Sequence, residues 1–277
     1  MIEKKSITCF PKDYILPFFS STLFFTATAI YAETRGDQSA NVFVNGSGAT
    51  ISIKFCYESL CNSITPPASM LRAMDDGYSK ISLEDFTLDG VNEIILTHSA
   101  EGNVNTCSKI FQYNSESKKI QLLPGLKKQI CNYSMSQGVL ISTYKESAKW
   151  HEDIYEIDKN NIRLMLSDSC IGCEYTKRTI YSSEAENEKL LVTDDPSYLL
   201  RTPISTTVVS KKAILYSEPT IKRATKMYLI SGDEVRLTDD SSDESHFWFK
   251  IRYITKKGRY INAWLKCEDI KYCEYNQ

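Results

Sequence analysis

The sequence predicts an all-β protein, an antiparallel β domain followed by a small β barrel. Three observations predict it. Helical periodicity is scarce along the chain. Short runs that alternate apolar and polar residues, such as 51–55 (Ile-Ser-Ile-Lys-Phe), return about every ten residues between turn signals, which is the spacing of antiparallel strands. Eight of the nine cysteines fall into four sequence-local pairs, as expected if each bridge staples one hairpin or loop.

Residues 1–32 read as an export signal. Lys4, Lys5 and Lys12 precede an apolar run that ends in Ala27-Thr28-Ala29-Ile30-Tyr31-Ala32, and the chain then turns polar at Glu33. Small residues at that border predict cleavage after Ala32, with Ala29 as the second choice. The competing reading is an uncleaved anchor, against which Pro17, Ser20, Ser21 and Thr22 all weigh. Cleavage takes the formal charge from −2 to −3, because Lys4, Lys5 and Lys12 leave together with Glu3 and Asp13. A nearly neutral, mildly acidic chain argues against nucleic-acid binding, and no later apolar run predicts membrane insertion. The expected location is the periplasm or the exterior.

Removing Cys9 with the signal leaves an even number of cysteines, and the preferred pairing is Cys56–Cys61, Cys107–Cys131, Cys170–Cys173 and Cys267–Cys273. Cys170-Ile171-Gly172-Cys173 could instead be a redox pair or half of a zinc site. A redox pair wants a helix N-terminus, which the flanking residues do not start, and the other cysteines of a zinc site would lie far along the chain.

The antiparallel domain is expected over 33–181. Its strands follow in order: a first strand before the Asn45-Gly46-Ser47-Gly48 turn, 51–55, a helical turn near 69–74 after Pro66-Pro67, and a buried strand at 93–97. A hairpin of 108–113 with 119–123 comes next, then strands at 138–144, 150–157, 162–166 and 175–181. Residues 182–205, rich in Ser, Glu, Asp and Pro, read as a linker. Residues 206–277 hold five further short strands, which suggests a small barrel, with 239–245 as a solvated turn.

Before the 93–97 strand lies the stretch 85–93, Asp-Phe-Thr-Leu-Asp-Gly-Val-Asn-Glu. Asp85, Thr87, Asp89, the Val91 carbonyl and Glu93 could give oxygens to calcium, with Gly90 allowing the bend. The alternative is an acidic turn whose carboxylates cap backbone N–H groups. The three histidines, His98, His151 and His246, fall in no hydrolase motif, so a non-enzyme is expected. Seventeen Tyr and three Trp exceed what such a core needs, which makes Tyr216, Tyr228, Trp248 and Trp264 candidates for a ligand groove on the barrel. The competing reading places Trp248 and Trp264 in the barrel's core and rim.

Four C-terminal stretches resemble bacterial SH3 (SH3b) domains: 215–219 (Leu-Tyr-Ser-Glu-Pro), 229–235 (Leu-Ile-Ser-Gly-Asp-Glu-Val), 248–251 (Trp-Phe-Lys-Ile) and 263–266 (Ala-Trp-Leu-Lys). The stretches 85–93, 110–122 and 144–157 resemble periplasmic β-propeller-like proteins with an Asp-x-Asn-x-Asp-Gly-x-x-Asp turn. That group includes immunity proteins against peptidoglycan-cleaving toxins, with a fold similar to lysozyme inhibitors. Here Thr87 and Glu93 depart from the turn pattern, and no Ser-Gly-x-x-Tyr inhibitory loop occurs. These resemblances imply a periplasmic, non-catalytic immunity or inhibitor protein acting on a cell-wall hydrolase. The alternative they imply is a peptidoglycan-binding envelope protein using its SH3-like barrel. A hydrolase with clustered carboxylates is a third reading.

Overall fold

A computed structural model describes residues 40–46, 50–57, 60–98, 102–126, 129–158, 161–183, 186–243 and 245–274; the signal segment and its cleavage sites lie outside them. The described chain is almost all β, in four antiparallel sheets with one α-helix. The first sheet is a meander of β1 (Ala40–Asn45), β2 (Ser52–Tyr57) and β3 (Leu60–Ile64). Helix α1 (Ala68–Asp75) follows Pro67, whose fixed φ suits a helix entry. The second sheet joins β4 (Lys80–Glu84), β5 (Glu93–His98), β6 (Cys107–Asn114) and β7 (Lys119–Leu122), with the short β8 (Ile130–Cys131) beside β6.

Strand β5 explains how these layers stack. Side chains on a strand alternate between faces, and β5 is buried on both. Ile94 and Leu96 enter a core with Val42, Ile53, Met70 and Phe111, which ties the first sheet and α1 to one face. Ile95 points the other way, into a core with Phe86, Ile110, Leu140, Tyr155 and Ile162. That second core binds the third sheet: β9 (Ser134–Ser136), β10 (Val139–Glu146), β11 (Lys149–Asp158), β12 (Asn161–Ile171), β13 (Tyr175–Ile180) and β14 (Glu188–Thr193), a six-strand meander. Gly125 lies where these layers meet. A Cβ there would stand 2.0 Å from the Ile162 carbonyl oxygen, and its φ of +88° is one that glycine adopts freely.

The fourth sheet has the order β15 (Ser205–Thr207), β18 (Glu234–Ser242), β19 (Phe247–Ile254), β20 (Tyr260–Lys266), β16 (Ala213–Tyr216), β17 (Ala224–Leu229). It has six strands where five are expected, and β18 runs on through residues read from sequence as a solvated turn. Asp239 and Asp240 are half-buried there, both ion-paired with Lys177 of β13.

The expected linker at 182–205 also differs. It carries β14, paired with β13 from Tyr175↔Thr193 to Ile180↔Glu188, and Leu191 is fully buried in the core of the fourth sheet beside Val208, Leu215, Val235 and Phe249. Three consecutive apolar residues, Leu190, Leu191 and Val192, draw this segment into the fold although acidic residues and prolines flank it.

Disulfides join Cys56 to Cys61, Cys107 to Cys131, Cys170 to Cys173 and Cys267 to Cys273. Four bridges in one chain belong to an oxidising compartment, outside the cytoplasm. Among the described residues, no helix is long and apolar enough to cross a membrane.

Candidate functional site

The acidic turn closes on itself. Asp85 accepts the backbone N–H groups of Asp89 and Gly90, each at 3.0 Å, and Asp89 accepts that of Val91 at 2.8 Å. Glu93, at the start of β5, lies beneath the turn at 3% exposure. Its carboxylate accepts the N–H of Phe86 at 2.7 Å, the N–H of Thr87 at 3.0 Å and the Thr87 hydroxyl at 3.1 Å. All three carboxylates proposed as calcium ligands are thus engaged within the loop, as in a self-capped turn. Among the described residues, no group of three or more His, Cys, Asp or Glu side chains is placed to hold a metal ion.

Burial pushes Glu93 from 4.5 up to about 7; hydrogen bonds from Thr87 and Phe86 pull it down, and the charge on Asp89 adds to the rise. The folded value lies above the unfolded one, so the fold favours the protonated form. Stability from this group is full below pH 4.5 and is lost as pH rises through about 7, an effect of about 3 kcal/mol. The expected result is a melting temperature that falls across this window in the wild type. In Glu93→Gln, which keeps the amide acceptor and removes the titration, that component of the fall disappears. Parallel curves for the two proteins between pH 4 and 8 would refute the assignment.

The four aromatics expected to line a groove do not share one. Trp248 is 0% exposed and Tyr216 is buried against it, ring edge to ring face, with centroids 4.9 Å apart. The Trp248 indole N–H donates to Asp243 at 3.0 Å, which satisfies the one polar atom that its burial would otherwise strand. Trp264 is half-buried, in register with Lys250 and Tyr216. Tyr228 is 53% exposed on the edge strand β17, with the Lys212 ammonium 4.9 Å over its ring.

A different groove lies where the β12–β13 turn meets β19 and the C-terminal 3-10 turns, Cys267–Asp269 and Lys271–Glu274. Its cavity is about 410 Å³, within the range of ligand sites. Tyr175, Phe247, Phe249 and Tyr272 supply the aromatic lining. Phe249 forms the floor, with Phe247 at 5.1 Å, Tyr272 at 5.6 Å and Tyr175 at 6.1 Å, all tilted edge to face. Glu174, His246, Lys266 and Glu268 supply polar groups, with Lys266 3.2 Å from Glu268.

Two disulfides bracket this groove. Cys170–Cys173 closes the turn that leads into Glu174 and Tyr175, with Cys170 and Gly172 both at positive φ. Cys267–Cys273 closes the segment that carries Tyr272, whose N–H is further held by the Thr206 hydroxyl at 3.0 Å. Tyr175 and Tyr272 therefore sit beside cross-linked backbone, while Phe247 and Phe249 are held by strand β19, and the surface is preorganised. Sequence reasoning missed all four rings. The available signal was the position of Tyr175 and Tyr272 beside paired cysteines.

A second polar pocket faces β18 from the third sheet, with Tyr144 and His151 stacked at 5.1 Å. Ser167 gives its hydroxyl proton to Asp153, which also accepts from Tyr144 at 3.3 Å.

No family model matches the chain, and no curated protein matches it. A solved structure described as "Structure of a Xanthomonas Type IV Secretion System related protein" is similar over 60% of this chain and 85% of that chain, at 15% identity and a TM-score of 0.31.

Proposed function

We propose that this protein is a periplasmic, non-catalytic binding protein that takes a short peptide of the cell wall in the aromatic groove beside its SH3-like C-terminal sheet. One observation carries the reading: a preorganised aromatic cleft with both signs of charge at its rim, between two disulfides. Rings packed edge to face do not form the flat platform on which a sugar stacks, and they leave Phe247 partly exposed to an apolar side chain. Glu174 and Glu268 suit an amine and Lys266 a carboxylate, the pair of groups that peptidoglycan stem peptides carry.

The inhibitor reading asks for an exposed loop or an acidic edge shaped to fill a cationic enzyme cleft. In the 85–93 turn, Glu93 is buried beneath the loop while Asp85 and Asp89 cap the loop's own amides.

Two arms test the groove. In the first, the full chain is sedimented with purified sacculi. In the second, a soluble stem peptide with free amine and carboxylate is titrated. Phe247→Ala, at a partly exposed site, should weaken binding about tenfold with the melting temperature held. Lys266→Glu should weaken it for peptides with a free carboxylate and spare the amidated form. Sedimentation and titration that ignore both substitutions would sink the proposal.

A further inference from the structure

The connection from β14 to β15 is built more firmly than a connection requires. Its neck is closed by the Val192↔Pro203 bridge and by the Thr193 N–H on the Thr202 carbonyl at 2.9 Å. Its tip is a turn, with the Leu200 N–H on the Ser197 carbonyl at 3.0 Å.

From below, two guanidinium groups hold the loop's carbonyls. Arg178 donates to Tyr198 at 2.9 Å, and Arg201 donates to Asp195 at 2.8 Å and to Pro196 at 3.4 Å. Both arginines are fixed in turn by Asp168, which takes paired bonds from Arg178 at 2.8 and 2.6 Å and one from Arg201 at 2.6 Å. Glu152 completes the set, 2.8 Å from Arg201. The side chains of Asp168 and Arg201 are fully buried. Two positive and two negative groups balance, so the foundation adds no net charge.

On this rigid support the chain displays two adjacent leucines, Leu199 at 74% and Leu200 at 63% exposure. A lone exposed leucine is ordinary on a protein surface. A neighbouring pair at the tip of a locked loop is an anchor whose ordering entropy is already lost before any encounter. The same loop carries Asp194 and Asp195: Asp194 accepts from the Gly172 N–H and the Thr176 hydroxyl, and Asp195 accepts the Ser197 N–H. A convex apolar tip needs a concave surface, and its acidic flank needs basic neighbours. A second copy of this chain fits less well, since Glu174 and Glu268 stand beside Lys266 on the rim of its aromatic groove and would set acid against acid where a basic rim is wanted. An anionic bilayer is disfavoured for the same reason.

We propose that the 194–203 loop is a preformed docking knob that seats Leu199 and Leu200 in an apolar pocket of a partner protein with a basic rim. The knob rests on observations separate from the aromatic groove, and either can fail alone.

The test places a photo-crosslinking residue at position 199 of the full chain, in its own host. The expected result is one discrete protein adduct, whose partner is then purified. Wild-type chain should bind it with an affinity that falls as salt rises. Leu199→Asp or Leu200→Asp should each weaken binding about 10- to 100-fold, with melting temperature unchanged because both side chains are exposed. Phe247→Ala should leave this binding intact, which separates the knob from the groove. Adducts only with lipid, with this chain itself or with nothing would overturn the proposal. So would a purified partner whose binding ignores both leucine substitutions.

Discussion

Asp168→Ala is expected to lower stability by about 3–5 kcal/mol, because it leaves Arg178 and Arg201 as buried cations without the carboxylate that both share. The measurement is urea unfolding, read as a shift in midpoint at unchanged slope. Asp168→Asn keeps the shape and removes the charge, and should lose most of the same amount. Arg178→Met should be milder, since Asp168 then keeps Arg201. Because the arginines also hold the loop's carbonyls, the Asp168 variants should show faster amide exchange over 195–201 before global unfolding. A loss below about 1 kcal/mol in Asp168→Ala would mean that water has already relieved the buried charges.

The second large effect separates core from surface among the aromatics of the fourth sheet. Trp248→Ala should cost about 3–5 kcal/mol, since it opens a cavity beside Tyr216 and leaves Asp243 without its indole donor. Tyr228→Ala, at an exposed position on an edge strand, should change stability by about 0.5 kcal/mol or less. Thermal unfolding of the two variants beside wild type decides the matter. Equal effects would contradict the burial described for Trp248.

The parts of this fold that could be read from sequence are those whose signal is local. The Ile94-Ile95-Leu96 run announces a strand buried on both faces, and alternation with turn residues places β6 and β7. Strand β14 was obscured because three apolar residues between acids and prolines look like a linker until the two layers they join are known. The 239–242 segment misled for a related reason: its aspartates look solvated, but the chain brings Lys177 to them from about sixty residues away. The groove was hidden more deeply. Its rings come from positions 175, 247, 249 and 272, and only tertiary packing gathers them. The two tryptophans drew attention by size, and size is also what suits Trp248 to the interior.

Strand β14 has a consequence for inheritance. Its backbone completes the third sheet while Leu191 fills the core of the fourth. An excision at either end of 182–205 would strip one neighbour of an edge strand or the other of an interior side chain. The C-terminal sheet is therefore not a portable cassette: recombination that moved residues 206–277 to another chain would have to carry β14 along, and leave the donor's meander with a raw edge.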